Sequence, residues 1–149
     1  MSADPISSYS YSKFAANELL KMLYKTESFP VVMLRLFLVY GPGQDNERFL
    51  PQIIEACLSD STFPVSLGNQ LRDFCYIDNT IQMNLLAATT TSDAAINQVY
   101  NVALNDRTSL NELYKMIEER LIERTQWLQK KEPIYRDFRA GDVRHSQAS

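Results

Sequence analysis

The sequence predicts an α/β fold, a sheet with helical crossovers. Three observations predict it: helical and strand-like patterns alternate along the chain, one stretch is almost unbroken apolar, and short turn signals separate the segments. Ser7-Ser8 offers a helix cap with Tyr9 on the first turn, and Phe14, Ala15, Leu19, Leu20 and Leu23 recur at helical spacing up to Pro30, where a helix cannot continue. Val31–Tyr40 follows, apolar apart from Arg35 and β-branched near both ends, the pattern of a strand buried on both faces in a parallel sheet. Gly41-Pro42-Gly43 stops it.

A helix is expected from about Phe49 to Leu58 with Ile53, Ile54 and Leu58 inward, then a short strand at Phe63–Leu67 and a turn at Gly68-Asn69. Arg72–Ile77 reads as a strand, Asp78 as the cap of a helix over Thr80–Ala88, and Gln98–Ala103 as another strand. Thr108 or Ser109 caps a further helix with Leu110, Leu113, Met116, Ile117 and Leu121 as its stripe. From Lys130 the chain reads as a charged, irregular tail with no closing element.

Composition bounds the function. The 149 residues suit one ordinary domain, and 45% hydrophobic with 22% charged is the balance of a globular protein. A net charge of −3 with singly spaced arginines suits a small anionic ligand better than a nucleic acid. Cys57 and Cys75 lack partners at metal spacing, so two reduced thiols and no metal site are expected. No apolar run approaches the ~20 residues of a membrane span, and no signal peptide is visible, so the cytoplasm is the expected location.

Three constellations offer chemistry. Tyr9 and Lys13, four apart, share a helix face. A free phenol, with its pKa of about 10, is a poor acid–base group at neutral pH, and a nearby ammonium favours the phenolate. Such a pair can move a proton to or from a sugar hydroxyl; the plain alternative is an ordinary exposed Tyr and Lys. Arg72 follows the Gly68-Asn69 turn, and a planar guanidinium suits a pyrophosphate; the plain alternative is a surface pair with Asp73. The segment Tyr135–Ser146 concentrates charge, including Arg139, Asp142 and the sole histidine, His145, and as plainly reads as a polar loop.

Taken in order, Ser8–Lys13, Leu34–Gln44, Leu71–Asp78 and Tyr100–Ala103 resemble the carboxyl-terminal half of extended short-chain dehydrogenases/reductases of the NAD-dependent epimerase/dehydratase family. Asn97–Ala103, Arg107–Asn111 and Tyr135–Ser146 are most similar to UDP-N-acetylglucosamine 4-epimerases of the bacterial surface-polysaccharide type. The resemblance implies a partial Rossmann-type parallel sheet plus a small α/β substrate-binding subdomain, with 1–45 closing the first and 46–149 forming mostly the second.

It further implies Tyr9 as catalytic base at the sugar 4-hydroxyl and Lys13 as its activating partner and holder of the nicotinamide ribose. Phe37 would border the nicotinamide. Arg72 and Arg139 would clamp a UDP diphosphate, Asp142 the uridine ribose, and Leu38, Gln44 and Ser146 the sugar. The cofactor implied is NAD rather than NADP, the substrate a UDP-sugar, and a homodimer through the Tyr9–Lys13 helix is implied as well.

Two features depart from the family. Leu38 stands where it usually has Asn, and a Leu neither donates nor accepts; in this stretch the chain looks closer to relatives that dehydrate or reduce dTDP- or CDP-sugars. The glycine-rich dinucleotide fingerprint is not among these residues, so the 149-residue chain by itself is expected to be inactive. A 4,6-dehydratase, a 4-keto reductase, a non-catalytic sugar-nucleotide binder and a structural partner are the competing readings.

Overall fold

A computed structural model describes residues 5, 7–59, 61–66, 68–125 and 127–137. The element order is α1 (Ser8–Glu27), β1 (Val32–Leu36), β2 (Leu38–Tyr40), α2 (Phe49–Leu58), β3 (Pro64–Ser66), β4 (Leu71–Arg72), β5 (Phe74–Tyr76), α3 (Ile77–Thr89), β6 (Gln98–Val102), β7 (Thr108–Ser109), α4 (Leu110–Arg124) and β8 (Ile134–Arg136). The fold is α/β, as the alternation predicts. β2 pairs with β5 and β3 with β8 in parallel, β4 pairs with β7 antiparallel, and β1 pairs with β6. Two compact units result: described residues up to Arg35 with Ile81–Asn101, and Leu36–Thr80 with those from Val102 onward.

In the first unit, α1 opens on a reciprocal cap. The Ser10 N–H donates to Ser7 Oγ at 3.1 Å, and the Ser7 N–H donates to Ser10 Oγ at 2.9 Å. Its far end closes on Ser28 in the left-handed region, φ 53°. The expected apolar stripe buries nothing: Leu19 is 52% exposed, and no α1 residue is buried among the described residues. Val31 and Met33 are buried, and the Asn97 N–H donates to Val31 O at 2.7 Å beside the β1–β6 pair.

In the second unit the core is Ile53, Ala56, Phe63, Val65 and Tyr114, with Phe49, Cys57, Leu110 and Ile117 against it. The Phe49 and Phe63 rings meet edge to face, centroids 5.4 Å apart. Ser109 caps α4: the Glu112 N–H donates to its Oγ, and the Ser109 N–H donates to the Glu112 carboxylate at 2.8 Å. That donation holds the Glu112 carboxyl below its ordinary range.

Six local expectations are corrected. Val31–Tyr40 is two strands, because the chain changes ladder at Phe37, from β6 to β5; Leu36 and Leu38 flank the change and are exposed, so the run is not buried on both faces. Arg72–Ile77 breaks likewise at Asp73, between a β7 partner and a β2 partner. α3 starts at Ile77 directly after β5, which puts Asp78 inside its first turn instead of at the cap.

On α2 only Ile53 and Ala56 are buried; Ile54 and Leu58, expected inward, face an open cleft. On α4 the buried positions are Tyr114 and Glu118, while Met116 is exposed. Buried Glu118 is satisfied by the Lys131 N–H at 2.6 Å, which lets a carboxylate replace the expected apolar residue. Finally, the tail beyond Lys130 contains β8, laid on β3 in register Pro64↔Ile134, Val65↔Tyr135 and Ser66↔Arg136.

Candidate functional site

In the first unit α1 presents Tyr9 and Lys13 side by side. Tyr9 is 72% exposed, and the Lys13 ammonium lies over its ring, 5.3 Å from the centroid, within cation–π range. The Ser12 hydroxyl donates to the Tyr9 backbone carbonyl at 2.7 Å within the first turns of the helix. The two side chains share a helix face, with the cation above the ring.

The second unit carries Phe37, Leu38, Gln44 and Arg72. Phe37 is half-buried and its N–H donates to Val102 O at 3.2 Å. Leu38 sits opposite Phe74 in the β2–β5 ladder, so it lies two residues in register from Arg72. The turn after β2 is built for close approach: a Cβ on Gly41 would collide with Ile77, and Gly43 holds φ +80°. Gln44 closes that turn. Its N–H donates to Gly41 O and its side-chain amide to Val39 O, both at 3.3 Å. It lines an open cleft of about 540 Å³ with Gly41, Asn46, Ile54 and Leu58, and a smaller one of about 210 Å³ with Val39, Tyr40 and Ile77.

Arg72 is half-buried and donates from Nη1 to Leu71 O at 3.0 Å. In the same unit, Tyr40, Phe74, Leu104, Leu113 and Leu121 line an apolar cleft of about 450 Å³ that also carries Asp106 and Arg120. The Tyr40 ring packs edge-on to both Phe74 and Tyr76, at 6.2 and 5.4 Å. Arg139, Asp142, Ser146 and His145 lie outside the described residues.

Sequence reasoning passed over two features of the second unit. Asp73, read as a surface partner for Arg72, is 1% exposed and accepts the Leu104 N–H at 3.0 Å. No signal within Arg72–Ile77 could have found it, since its partner is Leu104, 31 residues further along. Tyr114 is the other. Burial first, and then the acidic neighbours Cys57 and Glu118, push its phenol up to about 12. Burial likewise raises the Cys57 thiol. Both groups therefore stay neutral at physiological pH and act as packing. Among the described residues no cluster of three metal-ligating side chains occurs, and no helix is long and apolar enough to cross a membrane.

A family model described as the NAD dependent epimerase/dehydratase family matches residues 1–103. The chain belongs to that family. Among solved epimerase/dehydratase structures, it resembles the UDP-N-acetylglucosamine 4-epimerase of Methanobrevibacter ruminantium M1 in complex with UDP-N-acetylmuramic acid, at 30% identity and TM-score 0.86, over 98% of this chain and 46% of that one. It also resembles the UDP-glucose 4-epimerase of Thermotoga maritima with UDP-glucose, at 30% identity and TM-score 0.85, over 98% of this chain and 45% of that one. A third relative is the dTDP-glucose 4,6-dehydratase of Haemophilus influenzae, 28% identical over 114 residues, 76% of this chain and 33% of that protein. The chain thus spans less than half the length of each of these relatives.

Proposed function

We propose that these residues form the proton-transfer and nucleotide-sugar-binding part of a 4-epimerase that interconverts UDP-N-acetylglucosamine and UDP-N-acetylgalactosamine. The observation that carries this reading is the exposed Tyr9 phenol beneath the Lys13 ammonium, in a chain of the epimerase/dehydratase family. Tyr9 takes the proton from the sugar 4-hydroxyl and returns it. Lys13, over the Tyr9 ring, donates to the nicotinamide ribose. An exposed ammonium and phenol at adjacent turns fit two ribose hydroxyls, so the residues present suit that end of NAD. When bound, NAD supplies the hydride acceptor and donor at C4.

Phe37 borders the nicotinamide. Arg72, with Arg139, grips the diphosphate through charge-assisted hydrogen bonds. Asp142 holds the uridine ribose, and Leu38, Gln44 and Ser146 line the sugar. Residues 1–45 belong to the dinucleotide part and 46–149 mostly to the substrate part. The cytoplasm as location, surface-polysaccharide synthesis as role and a homodimer through α1 complete the proposal.

Leu38 favours a second reading, a 4,6-dehydratase or 4-keto reductase acting on a dTDP- or CDP-sugar. An apolar side chain there leaves a sugar hydroxyl without a partner, a loss of about 1–3 kcal/mol if it is buried. The dehydratase relative supports that alternative.

The test is turnover. A polypeptide of these 149 residues, given NAD and UDP-N-acetylglucosamine, is expected to form no UDP-N-acetylgalactosamine, because it holds no glycine-rich pyrophosphate turn. Joined to the complementary half of the Thermotoga maritima epimerase, it is expected to turn over. Turnover by the isolated polypeptide, or none by the joined protein when folded, overturns the proposal.

A further inference from the structure

We propose that Asp73 is a positioning residue that fixes Arg72 by fastening the β4–β5 joint to the turn between β6 and β7. The inference rests on the reading of Arg72 as a diphosphate-binding group.

Ile53, Val65, Asp73 and Cys75 are the most deeply buried large side chains of the described residues, and Asp73 alone among these four carries a charged group. A buried carboxylate is costly unless hydrogen bonds hold it. This one occupies the single-residue gap where the chain leaves one ladder, Leu71↔Ser109 and Arg72↔Thr108, and enters another, Leu38↔Phe74. At the gap no strand among the described residues lies in register to serve as acceptor. The Asp73 carboxylate takes that part, accepting the Leu104 N–H at 3.0 Å from 31 residues further along.

β4 is only two residues long, too short for its ladder alone to fix the direction of a side chain. Its near end is held by α4, where the Leu110 N–H donates to Gln70 O at 3.2 Å and the Asn111 N–H to Gly68 O at 3.0 Å. Its far end is Arg72, and the next residue is Asp73. The carboxylate is thus the fastening on the side where Arg72 stands, and it ties that side to the 103–107 turn. Without it, the joint between the β4 and β5 ladders loses its tie to the 103–107 turn, and Arg72, beside that joint, shifts.

The test compares the wild-type chain with Asp73→Ala, Asp73→Asn, Arg72→Ala and the Asp73→Ala/Arg72→Ala double variant. Asn keeps an acceptor oxygen for the Leu104 N–H; Ala keeps none. Amide exchange read by mass spectrometry should rise about tenfold or more over residues 103–107 in Asp73→Ala and about threefold or less in Asp73→Asn. The Kd for UDP should rise about tenfold in Asp73→Ala and about threefold or less in Asp73→Asn. The double variant should bind no more weakly than Arg72→Ala alone, since Asp73 acts through Arg72.

Unchanged exchange at 103–107 in Asp73→Ala overturns the fastening. Losses of UDP affinity that simply add in the double variant overturn the positioning role. Arg72→Ala binding UDP as well as wild type, or a wild type that binds no UDP, sinks the diphosphate reading and the positioning role with it, while the exchange result still decides the fastening.

Discussion

Replacing Tyr9 by Phe in a protein completed with a dinucleotide-binding half will lower kcat by about 10²–10⁴ and leave KM for the UDP-sugar within about threefold. The substitution is chosen to remove one oxygen. A Phe ring keeps the contact under the Lys13 ammonium, 5.3 Å from the centroid, so the helix face is preserved. Tyr9 is 72% exposed and no α1 residue is buried among the described residues, so folding stability should move by about 0.5 kcal/mol or less. A large fall in kcat with unchanged stability then reports proton transfer alone. Steady-state kinetics on the two purified proteins checks it, and a kcat within about threefold of wild type removes Tyr9 from the mechanism.

The largest stability effect belongs to Ile53. It is fully buried at the centre of the cluster with Ala56, Phe63, Val65 and Tyr114. Cutting it to Ala removes three carbons from a site walled by two aromatic rings in edge-to-face contact, which cannot easily collapse inward. The expected loss is about 2–5 kcal/mol. Ile54, its neighbour, faces the open cleft and is 38% exposed, so the same change there should cost about 1 kcal/mol or less. Urea unfolding followed by circular dichroism compares them. Equal losses at the two positions would mean that α2 is not docked through Ile53.

How far the fold could be read from sequence follows from how local each signal is. Caps need only a few residues, and so Ser7-Ser8 and Thr108 or Ser109 announce α1 and α4, with Ser7 and Ser109 as the caps formed. Strand breaks depend on the partner across the ladder. Nothing within Val31–Tyr40 marks Phe37 as the place where the partner changes from β6 to β5, and nothing within Arg72–Ile77 marks Asp73. β8 was invisible for the same reason: Ile134, Tyr135 and Arg136 are all exposed, so the strand exists through its ladder with β3 and leaves no burial pattern.

The α4 stripe held in part: Leu110 and Ile117 pack against the core, while Met116 is exposed. Counting apolar residues favoured Met116, but the face against α2 is set by Tyr114 and Glu118, whose polar atoms find partners indoors. Of the site, the Tyr9–Lys13 pair was legible because a helix brings positions four apart together by its own geometry. The deep burial of Asp73 was not legible, since it depends on a turn 31 residues away.

Calorimetric titration of the 149-residue chain with UDP, and separately with NAD, tests the central claim most directly. Affinity for a diphosphate should reside in these residues and affinity for the dinucleotide should not. UDP is expected to bind, with its heat abolished or its Kd raised about tenfold or more in Arg72→Ala, while NAD gives no saturable heat. A chain that binds NAD and ignores UDP contradicts the account.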